Sequence, residues 1–177
     1  MKFDSIDDIY TTNAAIAAEL ETLVGELPQE TAESRPEGEK WSVAEIVEHL
    51  AMVEDGMSRI CAKLIGKAEK NGDASDGTIS ITSTFEERGV AIAKIKVEAP
   101  EMVQPTGGKS ISESFATMAE ASARLEQIRP LFGTFDGNKH RFPHPFFGEL
   151  SAIEWLVLVG QHKARHIAQI RRIIGSN

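Results

Sequence analysis

A single cysteine in 177 residues leaves no internal disulfide and no thiolate-rich zinc or iron–sulfur site, and it fits a reducing cytoplasm. Aromatic residues are sparse too, at 6 % with one tyrosine and two tryptophans, so the core has to be aliphatic. No apolar run approaches the ~20 residues of a membrane-spanning helix. The start, MKFDSIDDIY, carries acids where a secretion signal needs positive charge and then an apolar stretch. Basic residues are in short supply, 19 against 27 acidic ones, which gives a net charge of −8 with no basic run. That balance argues against a nucleic-acid backbone or an anionic membrane as partner. The expectation is one acidic cytoplasmic domain over residues 1–177, whose chemistry comes from His, Asp, Glu, Ser or a bound ion.

Against these absences stands a recurring helix-start signature. Ser5 with Asp8, Ser42 with Glu45, Ser110 with Glu113 and Ser151 with Glu154 each place an acid three residues after a serine. In a capping box the serine oxygen accepts from the backbone N–H three residues on, while the acid reaches back to the serine's own N–H. Each acid also sits where the helix dipole favours negative charge. Trp41 with Ile46, and Leu150 with Trp155, add hydrophobic staples. All four signatures head stretches of 3.6-residue apolar periodicity, which predicts an all-α four-helix bundle.

The stops agree with the starts. Pro28, Asn71-Gly72, Pro130 or Gly133, and Gly175 close helices predicted over 5–26, 42–69, 110–131 and 151–174. Between the second and third runs a long crossover, about 71–109, rich in Gly, Asp and Ser. Extended pieces are expected at 79–81 and 92–97, with a helical turn at 86–90. A connection of that length lets the second and third helices run parallel. The last connection, 132–149, holds five of the eight phenylalanines and is expected to fold onto one end of the bundle.

Five histidines occur, and three fall on apolar helix faces. His162 and His166 are four apart, which puts both imidazoles on one face, a turn apart, as two-point metal binding from a helix requires. Trp155, Val159, Ile170 and Ile173 project within about 80° of His162, so that face looks into the core. His49 shares its face with Ile46, Val53, Ile60 and Leu64, within about 60°. If the second and fourth helices are antiparallel, His49 lies ~10 Å from one helix end and the other two ~12–18 Å from the matching end. The three rings then meet at one level. Three neutral nitrogens without a fourth protein ligand make an open metal site, because structural zinc is closed by four. The alternatives are a non-catalytic metal- or small-ligand-binding bundle, and a plain bundle whose histidines never meet.

Trp41-Ser42 through Glu45 and His49 spells a helical W-S-x-x-E-x-x-x-H, and His162 to Ile170 spells H-x-x-R-H-x-x-Q-I. With these motifs in this order, the chain resembles the DinB-like superfamily of metalloenzyme-type proteins, including YfiT-type proteins and thiol-dependent transferases. The resemblance implies an up-down-down-up four-helix bundle, often dimeric, with a divalent metal held by His49, His162 and His166. It implies zinc or nickel, and a low-molecular-weight thiol as cosubstrate in transfer or isomerisation, acting on a small molecule. DNA binding is not implied.

Around these ligands stand further candidates. Glu45, one turn before His49, can orient that ring or take a proton, although its capping role already explains it. His144 belongs to the aromatic connection, where it serves either a pocket mouth or a turn. Gln169 lies near the His162 face, where it either polarises a water beside the metal or is an ordinary glutamine at the edge of the core. Arg165 points to the other side and reads as an ion-pair partner, Cys61 as core, and Gly107-Gly108-Lys109-Ser110 as a flexible lead into the third helix. Thiol transfer and hydrolysis are both open, since one open metal site serves either.

Overall fold

The computed structural model describes residues 3–93, 95 and 97–175. Its helices are α1 (Ile6–Gly25), α2 (Gln29–Glu33), α3 (Val43–Asn71), α4 (Ser83–Ala93), α5 (Ile111–Thr134) and α6 (Ala152–Gly175). A short hairpin joins β1 (Arg141–His144) to β2 (Gly148–Ser151) ahead of α6. All four predicted capping boxes are present. Ser5, Ser42 and Ser110 close theirs at the starts of α1, α3 and α5. At α6, Glu154 N–H donates to Ser151 Oγ at 3.2 Å, and Ser151 N–H donates to the Glu154 carboxylate at 3.0 Å.

Cross-helix bonds set the topology. Tyr10 donates to the Leu125 carbonyl at 2.7 Å and Asp7 pairs with Arg129, so α1 and α5 are antiparallel. Asn13 donates to the Leu156 carbonyl and Glu19 meets Arg171, so α1 and α6 run parallel. Cys61 approaches the Ala152 carbonyl while Glu54 meets Lys163, which makes α3 and α6 antiparallel. The ends of α3 and α5 come together through the Ala74–Phe135 bridge, so these two are parallel. The result is an up-down-down-up four-helix bundle with a long crossover between α3 and α5. Gly160 lets α1 and α6 close up, since a Cβ there would collide with Asn13 Oδ1.

The connections differ from the sequence expectation in three places. The turn expected at 86–90 is the middle of an eleven-residue helix, α4, which takes in Ile92 in place of an extended run. Positions 94 and 96 of that expected run lie outside the described residues. Thr82 starts α4 by accepting from Phe85 N–H, and Glu154 of α6 binds both the N–H and the hydroxyl of Thr82. That long-range anchor leaves no local signature. The piece at 79–81 forms no strand among the described residues. Neither Pro130 nor Gly133 stops α5, which continues to Thr134 and carries Phe132 into the core. The aromatic connection does fold onto the bundle, as the hairpin, with His144 opposite Gly148 and Gly148 at φ +78° closing a three-residue loop.

The buried apolar side chains form two clusters. One joins Met57 to Ala68 of α3 with residues 152–159 of α6; the other joins Val43 to Ala51 with Ile167, Ile170 and Ile173. Where they meet, around Glu48, His49 and Glu54 of α3 and 162–166 of α6, the core turns polar. That seam holds the candidate site.

Candidate metal centre

His49, His162 and His166 converge at the seam. Their ring centroids are 5.2 Å (His49–His162), 5.0 Å (His49–His166) and 4.7 Å (His162–His166) apart. One nitrogen from each lies within 4.8 Å of the others. The level predicted from rise per residue is thus where the rings meet.

Two of the rings are aimed by a second hydrogen bond. His49 Nδ1 lies 2.7 Å from the Val103 carbonyl, and His166 Nδ1 lies 2.9 Å from Gln169 Oε1. Both partners are acceptors, so each Nδ1 carries the proton and each Nε2 presents a lone pair. Trp41 packs its ring 5.0 Å from that of His49. The segment that brings Val103 to the site is itself fastened by Glu48, a buried acid beside His49. Glu48 accepts from Thr106 N–H at 3.1 Å, Thr106 Oγ1 at 2.7 Å and Gly107 N–H at 2.9 Å. Burial pushes the Glu48 carboxyl up, but these bonds outweigh it and hold the group below its ordinary range. The lead into α5 is therefore anchored where a flexible stretch was expected. Glu48 carries no local motif, and only the fold reveals it.

Electrostatically the three rings are kept uncharged. Burial lowers all three, most strongly His162, whose neighbours His166 and His49 add to the effect. His166 is brought down to about 4 by burial and by His49. Uncharged imidazoles with free Nε2 lone pairs suit a borderline divalent ion such as zinc or nickel, so these residues fit the implied metal.

The other sequence candidates separate. Glu45 is occupied by its capping box, accepting from Ser42 N–H at 2.7 Å, and by Arg35 at 2.5 Å; it does not bond His49. Gln169 bonds His166 directly. His144, at the end of β1, lines the same cleft of about 410 Å³ as the three histidines. Its ring is 5.1 Å from Trp155, and burial brings its pKa down to about 4. Arg165 binds the Ile92 and Ile95 carbonyls at 2.6 and 3.0 Å rather than an acid, in keeping with a cation at the carboxyl end of α4. Cys61 is buried core with its thiol pushed up to about 12, again by burial.

On the opposite side of the α3–α6 pair lies a buried ion pair that sequence reasoning missed. Glu54 and Lys163 approach to 2.9 Å, with side chains 8 % and 6 % exposed, although Glu54 Oε2 is off the angle of a straight hydrogen bond. They border a separate cavity between α1 and α5. A signal was available: Lys163 adjoins His162 within a turn already assigned to the core.

The whole fold and the sequence both have counterparts. The crystal structure of TT2238, a four-helix bundle protein, superposes with a TM-score of 0.59 at 22 % identity, covering 93 % of this chain and 96 % of that one. YuaE of Bacillus subtilis (strain 168), an uncharacterized protein, is 22 % identical over 155 residues, which is 83 % of this chain and 85 % of YuaE. No helix among the described residues is long and apolar enough to cross a membrane. The DinB superfamily model matches residues 14–170, nearly the full length, and the chain belongs to that superfamily.

Proposed function

We propose that the protein is a divalent-metal-dependent enzyme with an open three-histidine site, of S-transferase or hydrolase type, acting on a small molecule in the cytoplasm. The observation that carries this reading is the convergence of His49, His162 and His166, all uncharged, on the floor of a cleft large enough for a substrate. A cleft of about 410 Å³ is far larger than one ligand position needs. A bound zinc or nickel ion supplies Lewis acidity there and brings a water or thiol toward ionisation near neutral pH. The chain's own share is to hold the ligands and exclude water. Val103 and Gln169 fix the tautomers of His49 and His166, and Trp41, Phe142 and Trp155 wall the cleft. Among the described residues no Asp or Glu lines it, which leaves His144 as its one titratable side chain besides the three ligand histidines and Arg165. On the transferase branch the thiol has to come from outside, because Cys61 is buried and resists ionisation.

Metal analysis of protein purified without a histidine tag tests the reading. One zinc or nickel ion per chain is expected, and ion present at about 100 times its dissociation constant should stabilise the fold by about 2.7 kcal/mol. His162→Ala should remove both effects. Protein that stays metal-free and whose melting ignores both ions would refute the proposal.

A further inference from the structure

The walls of the cleft above the histidines are almost entirely carbon. Met52, Met57, Ile60, Phe142, Phe147 and Trp155 form them, and at the mouth Met102 and Phe146 are exposed, so the apolar lining continues to the surface. Among the described lining residues there is no acid, no hydroxyl and no side-chain amide. Arg165 is the one permanent cation among the described lining residues, and its two terminal nitrogens already donate to main-chain carbonyls.

Besides the three ligand histidines, Arg165 and the two indoles, His144 is the polar side chain of this lining. Its Nδ1 accepts from Phe146 N–H at 3.1 Å and Phe147 N–H at 3.3 Å, which leaves the ring proton on Nε2. No hydrogen-bond partner for that Nε2 is found among the described residues. The hairpin therefore holds one neutral N–H donor, in a fixed tautomer, in the lining of a largely carbon-walled cleft that the three histidines also line.

We propose that the cleft takes a ligand with an aryl or alkyl body and one carbonyl-type oxygen, which accepts a hydrogen bond from His144 Nε2. This rests on the three-histidine reading only in calling that ligand the substrate. Sugars and other polyols are excluded, because their hydroxyls would be buried against carbon without partners. His144 is a specificity-determining residue, selecting an oxygen-bearing ligand over its hydrocarbon counterpart.

The chain's two tryptophans, Trp41 and Trp155, both line the cleft, so their fluorescence reports binding. Three probes are titrated into chelator-treated full-length protein: 4-phenyl-2-butanone, butylbenzene as the same body without the oxygen, and ribose. Both aryl probes should bind and ribose should not. His144→Asn keeps an acceptor for the Phe146 and Phe147 N–H groups but has no donor at the Nε2 position. It should lower the ketone-to-hydrocarbon affinity ratio about three- to tenfold, the worth of one neutral hydrogen bond. His144→Gln, which carries an amide N–H near the Nε2 position, should retain most of the ratio. Circular dichroism confirms that both variants fold. The inference is overturned if ribose binds as the aryl probes do, if neither aryl probe binds, or if the ratio is unchanged in His144→Asn. Because the titration needs no ion, its failure is separable from failure of the metal analysis: an ion that binds beside an unresponsive ratio leaves the metal site standing and removes this inference alone.

Discussion

The α3–α6 pair buries polar groups on both of its sides at one level of the bundle, and the two sides solve the problem of burial differently. Toward α1 and α5, Glu54 and Lys163 are opposite charges 2.9 Å apart, and each neutralises the other. Toward the cleft, three uncharged imidazoles converge with no hydrogen bond between them among the described residues. The first arrangement balances its charge from within, although Glu54 Oε2 has no aligned hydrogen bond. The second brings one ring nitrogen from each of three histidines within 4.8 Å of the others, a donor set that a cation from outside would complete. Two neighbours in sequence, His162 and Lys163, belong to these opposite solutions. Burial of a polar residue thus says little about function until its partners are known.

Removing one half of the self-sufficient side should have the largest effect. Lys163→Met leaves the Glu54 carboxylate buried beside carbon, and breaking a buried pair in this way costs about 3–5 kcal/mol. Urea unfolding should show that loss, while the double variant Glu54→Leu/Lys163→Met recovers most of it because no orphaned charge is left. Ion affinity at the histidines should be unchanged in the double variant, since the pair faces away from them. A single variant as stable as the parent would mean that the pair is solvated, and the contrast between the two sides would fail.

Acid should separate the two sides by the sign of their response. His166 has a folded-state pKa of about 4 against an ordinary 6.5. Above about pH 6.5 the ring is neutral whether or not the chain is folded; below it the unfolded chain takes up a proton that the folded one refuses. Stability present above pH 6.5 is therefore lost as the pH falls toward 4, by about 2 kcal/mol at pH 5 for one such histidine. Burial raises the Glu54 carboxyl against the opposing pull of Lys163. Its titration runs the other way, because the folded chain accepts that proton more readily than the unfolded one. Urea midpoints of chelator-treated protein should fall between pH 7 and pH 5, and His166→Leu should flatten the fall. A midpoint that rises with acid would make Glu54, not the histidines, the controlling group.

Most of the frame was legible in the sequence because capping is local. Each serine–acid pair spans three residues, and all four closed as expected. The histidine convergence was legible for a related reason, since helical period and rise are regular enough to carry His49 and His166 to the same level from opposite ends. What escaped depends on contacts between distant segments. Thr82 starts α4 through Glu154, 72 residues away, and Glu48 fastens Thr106, 58 residues away. Pro130 signals a stop by its own chemistry, yet α5 runs through it with Phe132 anchored in the core. Lys163 and Glu54, charged types that usually lie at the surface, gave no sign of pairing inside.

The smallest of these effects bears on whether the histidine side is built for an ion or merely tolerates one. Gln169 accepts from His166 Nδ1–H and so keeps the Nε2 lone pair turned to the centre. If that bond exists to orient a ligand, Gln169→Leu should weaken zinc binding about tenfold, roughly 1.4 kcal/mol, because lost orienting partners typically cost metal affinity by 10- to 100-fold. The metal-free protein should unfold at nearly the parent's urea concentration, since Gln169 and its bond are only partly buried. Gln169→Glu, a stronger acceptor for the same N–H, should hold or raise the affinity. Competition titrations against a zinc-selective chelator read all three. A loss of metal-free stability without a change in zinc affinity would assign Gln169 to the same self-contained class as Glu54 and Lys163, and only the three rings would remain on the side that needs a partner.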